Sequence, residues 1–142
     1  LCEEDKEFTL APGVAAYLDL LKEKQIPFMI ATSAEVRNVD FYYRRFALDR
    51  WFDRERDIIC ADGTMPSKPH PAIYKKAMER LGVEPAQCRV YEDLATGIAS
   101  AHAAGAGEII AVASAALPEK LEQLSGVTYA ISDFTDERIR EF

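Results

Sequence analysis

Two adjacent carboxylates, Glu92 and Asp93, stand between a short apolar run at residues 88–91 and an alanine-rich segment with helical spacing. An apolar run of this length predicts a buried strand, so both acids follow its carboxyl end. Ligands of open α/β sheets bind in the crevice beyond the carboxyl ends of the strands, and two acids there can hold a hard cation. A plainer reading also stands, in which Asp93 caps the helix beginning at Leu94 and Glu92 is solvated.

Polar residues follow two other predicted features of the chain. Thr32 and Ser33 come after the apolar run at residues 28–31, and Lys68 lies in the proline-flanked loop at residues 62–71. A hydroxyl beside helix amides, an ammonium group and a pair of metal-binding acids together supply what a phosphoryl group needs. If the sequence brings these three strand ends into one crevice, they predict a phosphoryl site.

Each of these features also has a structural explanation when taken alone. Thr32 and Glu35 have the spacing of a helix capping box, which would account for a threonine before a helix. An isolated lysine such as Lys68 is most often exposed at the surface, because lysine is rarely buried. The phosphoryl prediction therefore depends on the combination of residues.

The segments that must position these residues alternate along the chain. Helices are predicted at residues 14–24, 35–46, 72–81, 94–104 and 117–124 and from Thr135, with strands at residues 28–31, 57–61, 88–91, 108–112 and 127–131. Strands that alternate with helices at this spacing favour a parallel sheet covered by helices on both faces. The predicted class is therefore α/β, with a Rossmann-like arrangement.

Composition narrows the class of protein. A chain of 142 residues has room for one domain, and its formal net charge of −7 argues against nucleic-acid or membrane-surface binding, which need a positive field. No apolar run reaches the roughly 18 residues of a membrane span, and the first residues lack the order of a signal peptide. We therefore expect a cytoplasmic protein with reduced cysteines, no membrane and no nucleic-acid partner.

Several motifs in order resemble the haloacid dehalogenase superfamily, specifically its β-phosphoglucomutase-like phosphatases and phosphomutases. They are Pro12-Gly13, Ile30-Ala31-Thr32-Ser33, Ser67-Lys68-Pro69-His70-Pro71 with Ile73-Tyr74, and Val90-Tyr91-Glu92-Asp93 with Gly97-Ile98, Ala101 and Ala104-Gly105. The resemblance extends over roughly residues 9–139, which is nearly the whole chain. It implies a magnesium-dependent enzyme acting on a small phosphorylated metabolite, such as a sugar phosphate.

The resemblance also implies a role for each site residue. Thr32 would bind the transferring phosphoryl group, helped by amides near Ser33 and Ala34. Lys68 would neutralise the developing charge, and Glu92 with Asp93 would hold Mg²⁺, which favours carboxylate and phosphate oxygens. The catalytic residues carried over are thus Thr32 and Lys68.

The family's nucleophile, an aspartate in an Asp-x-Asp motif after the first core strand, has no counterpart in this sequence. In the family that strand is central and lies between the strands that correspond here to residues 28–31 and 88–91. We therefore expect two unpaired strand edges and an inactive chain unless an N-terminal segment or a partner chain completes the sheet. The acidic residues 1–8, which do not begin with Met, suggest the tail of a cap domain before an incomplete core at residues 9–142.

Two other functions remain as alternatives. A noncatalytic Rossmann-like module would bind a phosphorylated ligand or a partner segment without turnover. A metal-independent dehalogenase of the same superfamily is disfavoured, because Glu92 and Asp93 would then have no cation to serve.

Overall fold

The computed structural model describes residues 10–113 and 118–142, so the predicted linker at residues 1–8 lies outside the described residues. The helices are α1 (Val14–Glu23), α2 (Val36–Arg45), α3 (Ala72–Leu81), α4 (Ala95–Ala103) and α5 (Pro118–Glu122). The strands are β1 (Ile30–Glu35), β2 (Ile58–Ala61), β3 (Arg89–Glu92), β4 (Glu108–Val112) and β5 (Tyr129–Ile131). Helix and strand thus alternate as the sequence predicts.

The predicted bounds agree best with the structure where a specific residue terminates the helix or strand. Helix α3 begins and ends where predicted, and Gly82 closes it with a left-handed φ of 71°, a backbone conformation that suits glycine. The predicted last helix is instead a short 3₁₀ turn at Glu137–Arg140. The predicted start of α5 at Leu117 lies outside the described residues.

All the observed strand pairs are parallel, which confirms the predicted class. Strand β1 pairs with β2 in a two-stranded sheet, and β3, β4 and β5 form a second sheet in that order. The pairing of β1 is regular at Ile30 and Ala31 and then shifts at a bulge before Glu35 pairs with Ala61. Among the described strands, none joins the two sheets.

Helices cover both faces of the second sheet, as the alternation of side chains along β4 demonstrates. Ile109 and Ala111 pack into the cluster formed with α3 and α4, whereas Ile110 between them packs with Tyr17 and Leu21 of α1. Successive residues of a strand point to opposite faces, so a continuously apolar strand must be covered on both sides. The same first cluster includes Ile59 of β2, which connects the two sheets through one core.

The amino end of β3 is tied to the C-terminal part of the chain. The Arg89 guanidinium donates to the carbonyl oxygens of Ile139 at 2.7 Å and Glu141 at 2.5 Å, and its Nη1 lies 3.4 Å from the Tyr17 hydroxyl. Its Nη2 also lies 3.2 Å from a carboxylate oxygen of Glu108. This arginine therefore holds the 3₁₀ turn and α1 against the sheet.

No helix in the described ranges is both long and apolar enough to cross a membrane.

Candidate active site

Lys68 lies in the loop before α3, and its ammonium group reaches both Ala31 near the start of β1 and Glu92 at the carboxyl end of β3. Its Nζ lies 3.3 Å from the carbonyl oxygen of Ala31, 3.4 Å from the Tyr74 hydroxyl and 2.5 Å from Glu92 Oε2. An ammonium has three donors, and each of these acceptors can take one. The Lys68 side chain is only 10% exposed, so the alternative of an ordinary surface lysine is wrong.

The Glu92 carboxylate is buried at the end of β3, with 8% of its side chain exposed. Oε2 accepts hydrogen bonds from the Lys68 ammonium and from the Tyr74 hydroxyl. Burying a carboxylate is costly unless it is paired and hydrogen-bonded, and here both conditions are met. The alternative of a solvated residue at the strand end is therefore wrong for Glu92.

Gly97, in the first turn of α4, allows the carboxylate to lie against the helix. A Cβ at this position would stand 2.0 Å from Glu92 Oε1 and 2.1 Å from Cδ, closer than any real contact. The amino end of a helix carries a partial positive charge that favours a carboxylate. The glycine therefore places Glu92 where both the helix and Lys68 stabilise its negative charge.

Tyr74 joins the cluster of Lys68 and Glu92, although the sequence assigned it no role. The motif includes it, but position 74 also fits the buried face of α3, and nothing in the pattern indicates a use for its hydroxyl. Its side chain is buried, and Lys68 Nζ lies 4.9 Å from its ring centroid. Burial, and then the negative charge of Glu92, raise the pKa of the Tyr74 hydroxyl, so it remains a hydrogen-bond donor.

Asp93 follows Glu92 but lies in a different environment, because its side chain is exposed. The residue at the N-cap of α4 is Leu94, without a capping side-chain hydrogen bond, and the helix begins at Ala95. The helix therefore begins one residue later than predicted, and Asp93 lies one residue before its N-cap position. The negative charge of Asp93 contributes to the raised pKa of Tyr74, so Asp93 acts electrostatically on the cluster that contains Lys68 and Glu92.

Strand β1 ends later in the chain than the sequence predicts. The strand runs on to Glu35, and the residue at the N-cap of α2 is Glu35 itself, so the capping box predicted for Thr32 and Glu35 is wrong. Thr32 Oγ1 instead accepts a hydrogen bond of 3.1 Å from the amide of Ala34. Thr32 is half-buried and Ser33 is exposed, and the preceding carbonyl, that of Ala31, contacts Lys68.

The donor set at this edge suits a hard cation better than a soft one. Among the described residues there is no cluster of three His, Cys, Asp or Glu side chains of the kind that binds a metal by itself. Magnesium is typically held by one or two carboxylates, with phosphate oxygens and water as the other ligands. Glu92 and Asp93 fit that requirement, with Asp93 as the more accessible of the two.

Comparison with known proteins places this site in a family. Residues 1–105 match the model of the family described as haloacid dehalogenase-like hydrolase. A phosphorylated carbohydrates phosphatase of Thermotoga maritima is 36% identical over 122 residues, which are 86% of this chain and 48% of that protein.

Solved structures agree with this placement. A haloacid dehalogenase hydrolase of family IA, variant 3, from Entamoeba histolytica has a TM-score of 0.87 and 40% identity, covering 91% of this chain and 57% of that one. A Thermotoga maritima structure named for a beta-phosphoglucomutase has a TM-score of 0.76 and 32% identity, covering 84% and 54%. The chain thus spans about half the length of the proteins it matches. It belongs to the haloacid dehalogenase-like hydrolase family and is similar to its beta-phosphoglucomutase-like phosphatases.

Proposed function

We propose that this chain forms the phosphate- and cation-binding part of a Mg²⁺-dependent phosphatase or phosphomutase that acts on a small phosphorylated metabolite, most simply a sugar phosphate. The observation that carries the proposal is the buried Lys68 and Glu92 pair, with N–O separation 2.5 Å, beside the exposed Asp93. Buried ion pairs are a poor source of stability, so their retention at a sheet edge where ligands bind favours a functional role. The name of the Thermotoga maritima phosphatase supports phosphorylated carbohydrates as the substrate class.

Each site residue has a proposed part in binding the phosphoryl group. Lys68 supplies positive charge, and the Thr32 hydroxyl with the amides of Ser33 and Ala34 supplies neutral donors. The Ala34 amide now donates to Thr32 Oγ1, so it would exchange this acceptor for a phosphoryl oxygen on binding. When bound by Glu92 and Asp93, Mg²⁺ would neutralise charge on the phosphoryl oxygens.

The nucleophile is proposed to come from a strand that pairs beside β1 and β3. Ile30 donates its amide to Asp57 in the direction of β2, so the backbone groups of the next residue, Ala31, face away from β2. Within the described residues, β1 and β3 do not pair with one another or with a common strand. An N-terminal segment or a partner chain bearing an Asp-x-Asp motif would satisfy these edges and place its aspartate beside Lys68.

Binding of orthophosphate to the 142-residue chain, measured by calorimetry with and without Mg²⁺, tests the first half of this proposal. We expect Mg²⁺ to strengthen phosphate binding by about tenfold or more, since a bound divalent cation is the largest local charge in such a site. Asp93→Asn should remove the effect of Mg²⁺. Glu23→Gln removes one exposed negative charge on α1 and serves as the matched control that should not.

Measurements of phosphate release test the second half of the proposal, which concerns catalysis. We expect the chain alone to release no phosphate from sugar monophosphates, and the chain joined to a strand with an Asp-x-Asp motif to release it in a Mg²⁺-dependent manner. Mg²⁺-dependent turnover that persists in Asp93→Asn would contradict the assignment of the cation site. Chloride release from a haloacid would instead favour the dehalogenase alternative.

The alternative of a noncatalytic module is tested by the same experiments. A noncatalytic module would bind phosphate and Mg²⁺ through the same residues without chemistry. Phosphate binding that is never followed by turnover, even after a strand with the motif is supplied, would identify this function.

A further inference from the structure

The hydroxyl of Tyr74 occupies a particular position between the two charges of the site. It donates to Glu92 Oε2, the same oxygen that accepts from Lys68, and it also lies 3.4 Å from the Lys68 ammonium as an acceptor. These three groups therefore form a closed triangle of hydrogen bonds. The ring beneath the ammonium, with its centroid 4.9 Å from Nζ, adds a cation–π contact.

The phenol does two things that a phenylalanine could not. It gives the ammonium of Lys68 a third acceptor besides Ala31 and Glu92, so that all three donors are directed by the protein. It also donates to Oε2 of Glu92, the oxygen that accepts from Lys68, while the whole carboxylate lies against Gly97. The orientation of both charged groups thus depends on one hydroxyl.

The carboxylate has little freedom to choose another orientation as long as this hydroxyl is present. Rotation that took Oε2 away from Lys68 would break two hydrogen bonds in a buried site, where an unsatisfied polar group is costly. Gly97 packs directly against the carboxylate, so the helix also limits its movement.

From this geometry we propose that Tyr74 is a positioning residue, which fixes the Lys68 ammonium and the Glu92 carboxylate in place before a phosphoryl group binds. The benefit of this positioning for phosphate binding rests on the proposed function. The positioning of the two side chains by Tyr74 does not. Tyr74 acts through its two neighbours and is not assigned contact with the substrate.

Tyr74→Phe tests the proposal, because it retains the ring in the core and removes only the hydroxyl. The first measurement is the rate at which an amine-reactive acylating reagent labels Lys68 in the full chain, followed by peptide mass spectrometry. In the unchanged protein we expect slow labelling, since the side chain is 10% exposed and its donors are engaged. In Tyr74→Phe we expect labelling of Lys68 to rise about fivefold, the equivalent of one ordinary hydrogen bond.

Tyr91→Phe is the matched control. This substitution also removes a hydroxyl that makes a hydrogen bond, since the Tyr91 hydroxyl donates to the Tyr17 hydroxyl at 2.6 Å. Tyr91, however, packs on the side of the sheet that faces α1. We expect this variant to lose comparable stability while Lys68 labelling stays unchanged. Equal acceleration in both variants would mean that general loosening, not positioning, exposes Lys68, and would overturn the proposal.

The second measurement separates this proposal from the proposed function. Calorimetric titration with orthophosphate and Mg²⁺ should give weaker binding in Tyr74→Phe than in Tyr91→Phe. If the unchanged chain does not bind phosphate, the proposed function fails, whereas faster labelling of Lys68 in Tyr74→Phe would still support positioning. Unchanged labelling together with unchanged phosphate affinity in Tyr74→Phe would overturn the positioning role alone.

Discussion

Strand β3 has a charged side chain at each end, and only one of the two charges is bonded to backbone carbonyls. At the amino end, Arg89 donates to the backbone carbonyls of Ile139 and Glu141 and also to the Glu108 carboxylate, and its side chain is 14% exposed. At the carboxyl end, Glu92 accepts from two other side chains, those of Lys68 and Tyr74.

The difference indicates what each end is for. Backbone carbonyls that accept from Arg89 are fixed by the fold, so this cation connects the C-terminal part of the chain to the sheet. The partners of Glu92 are side chains on a loop and a helix, which can exchange one acceptor for another when a ligand arrives. A strand end whose charge is anchored on backbone carbonyls is structural, whereas one whose charge meets only side chains, next to the exposed Asp93, is suited to binding.

Replacement of Lys68 by methionine should have the largest effect on the molecule. It leaves the Glu92 carboxylate buried without its cation, and breaking a buried pair in this way costs about 3–5 kcal/mol of unfolding free energy. Urea denaturation measures the loss. The double variant Lys68→Met with Glu92→Gln should recover much of it, and no recovery would show that the pair is not the cause.

Arg89→Met should have the next largest effect, with a loss of about 2–3 kcal/mol, because hydrogen bonds to a charged donor are lost at two carbonyls. Protection of the amides at residues 137–141 should fall in hydrogen exchange. Phosphate binding in the presence of Mg²⁺ should remain unchanged. A variant that loses phosphate binding as well would abolish the distinction between the two ends of the strand.

Gly97→Ala should have an intermediate effect that is confined to the carboxyl end. The new methyl group would collide with Glu92, so the carboxylate must move away from Lys68, at a cost of about 1–2 kcal/mol that the better helix propensity of alanine only partly offsets. We expect weaker Mg²⁺-dependent phosphate binding in calorimetry. Ala99→Ser, which adds a hydroxyl at an exposed position of the same helix, is the control that should leave binding unaltered.

The smallest expected effect concerns Cys88, which precedes β3 at its amino end and is a free thiol, as is Cys60. Burial raises the pKa of the Cys88 thiol above its ordinary value. Because the folded state favours the protonated thiol, its contribution to stability is complete below pH 9 and is lost as the pH rises through the higher pKa of the folded state. Thermal unfolding between about pH 8 and pH 11 should therefore be less steeply pH-dependent in Cys88→Ala, and an identical pH dependence would contradict this.

Local sequence patterns determined most of the architecture. The alternation of helical and strand segments predicts a parallel sheet covered on both faces, and the bounds predicted for α3 are those observed, because both depend on neighbours in the chain. The motif order also indicated the family and brought attention to Lys68, Glu92 and Asp93. Element bounds near the site were less accurate, since β1 continues through Thr32 to Glu35, where pairing with β2 outweighs the local capping pattern.

Only the tertiary structure decided how the site residues divide their roles. Whether Lys68 is exposed or buried depends on the Ala31 carbonyl and on Glu92, which are 37 and 24 residues away along the chain. The hydroxyl of Tyr74 has no local signal, because a tyrosine on an apolar helix face is explained by packing alone. The sequence by itself thus determined the alternation of elements and the acids at the end of β3, whereas the pairing of charges arose from long-range contacts that exist only in the folded chain.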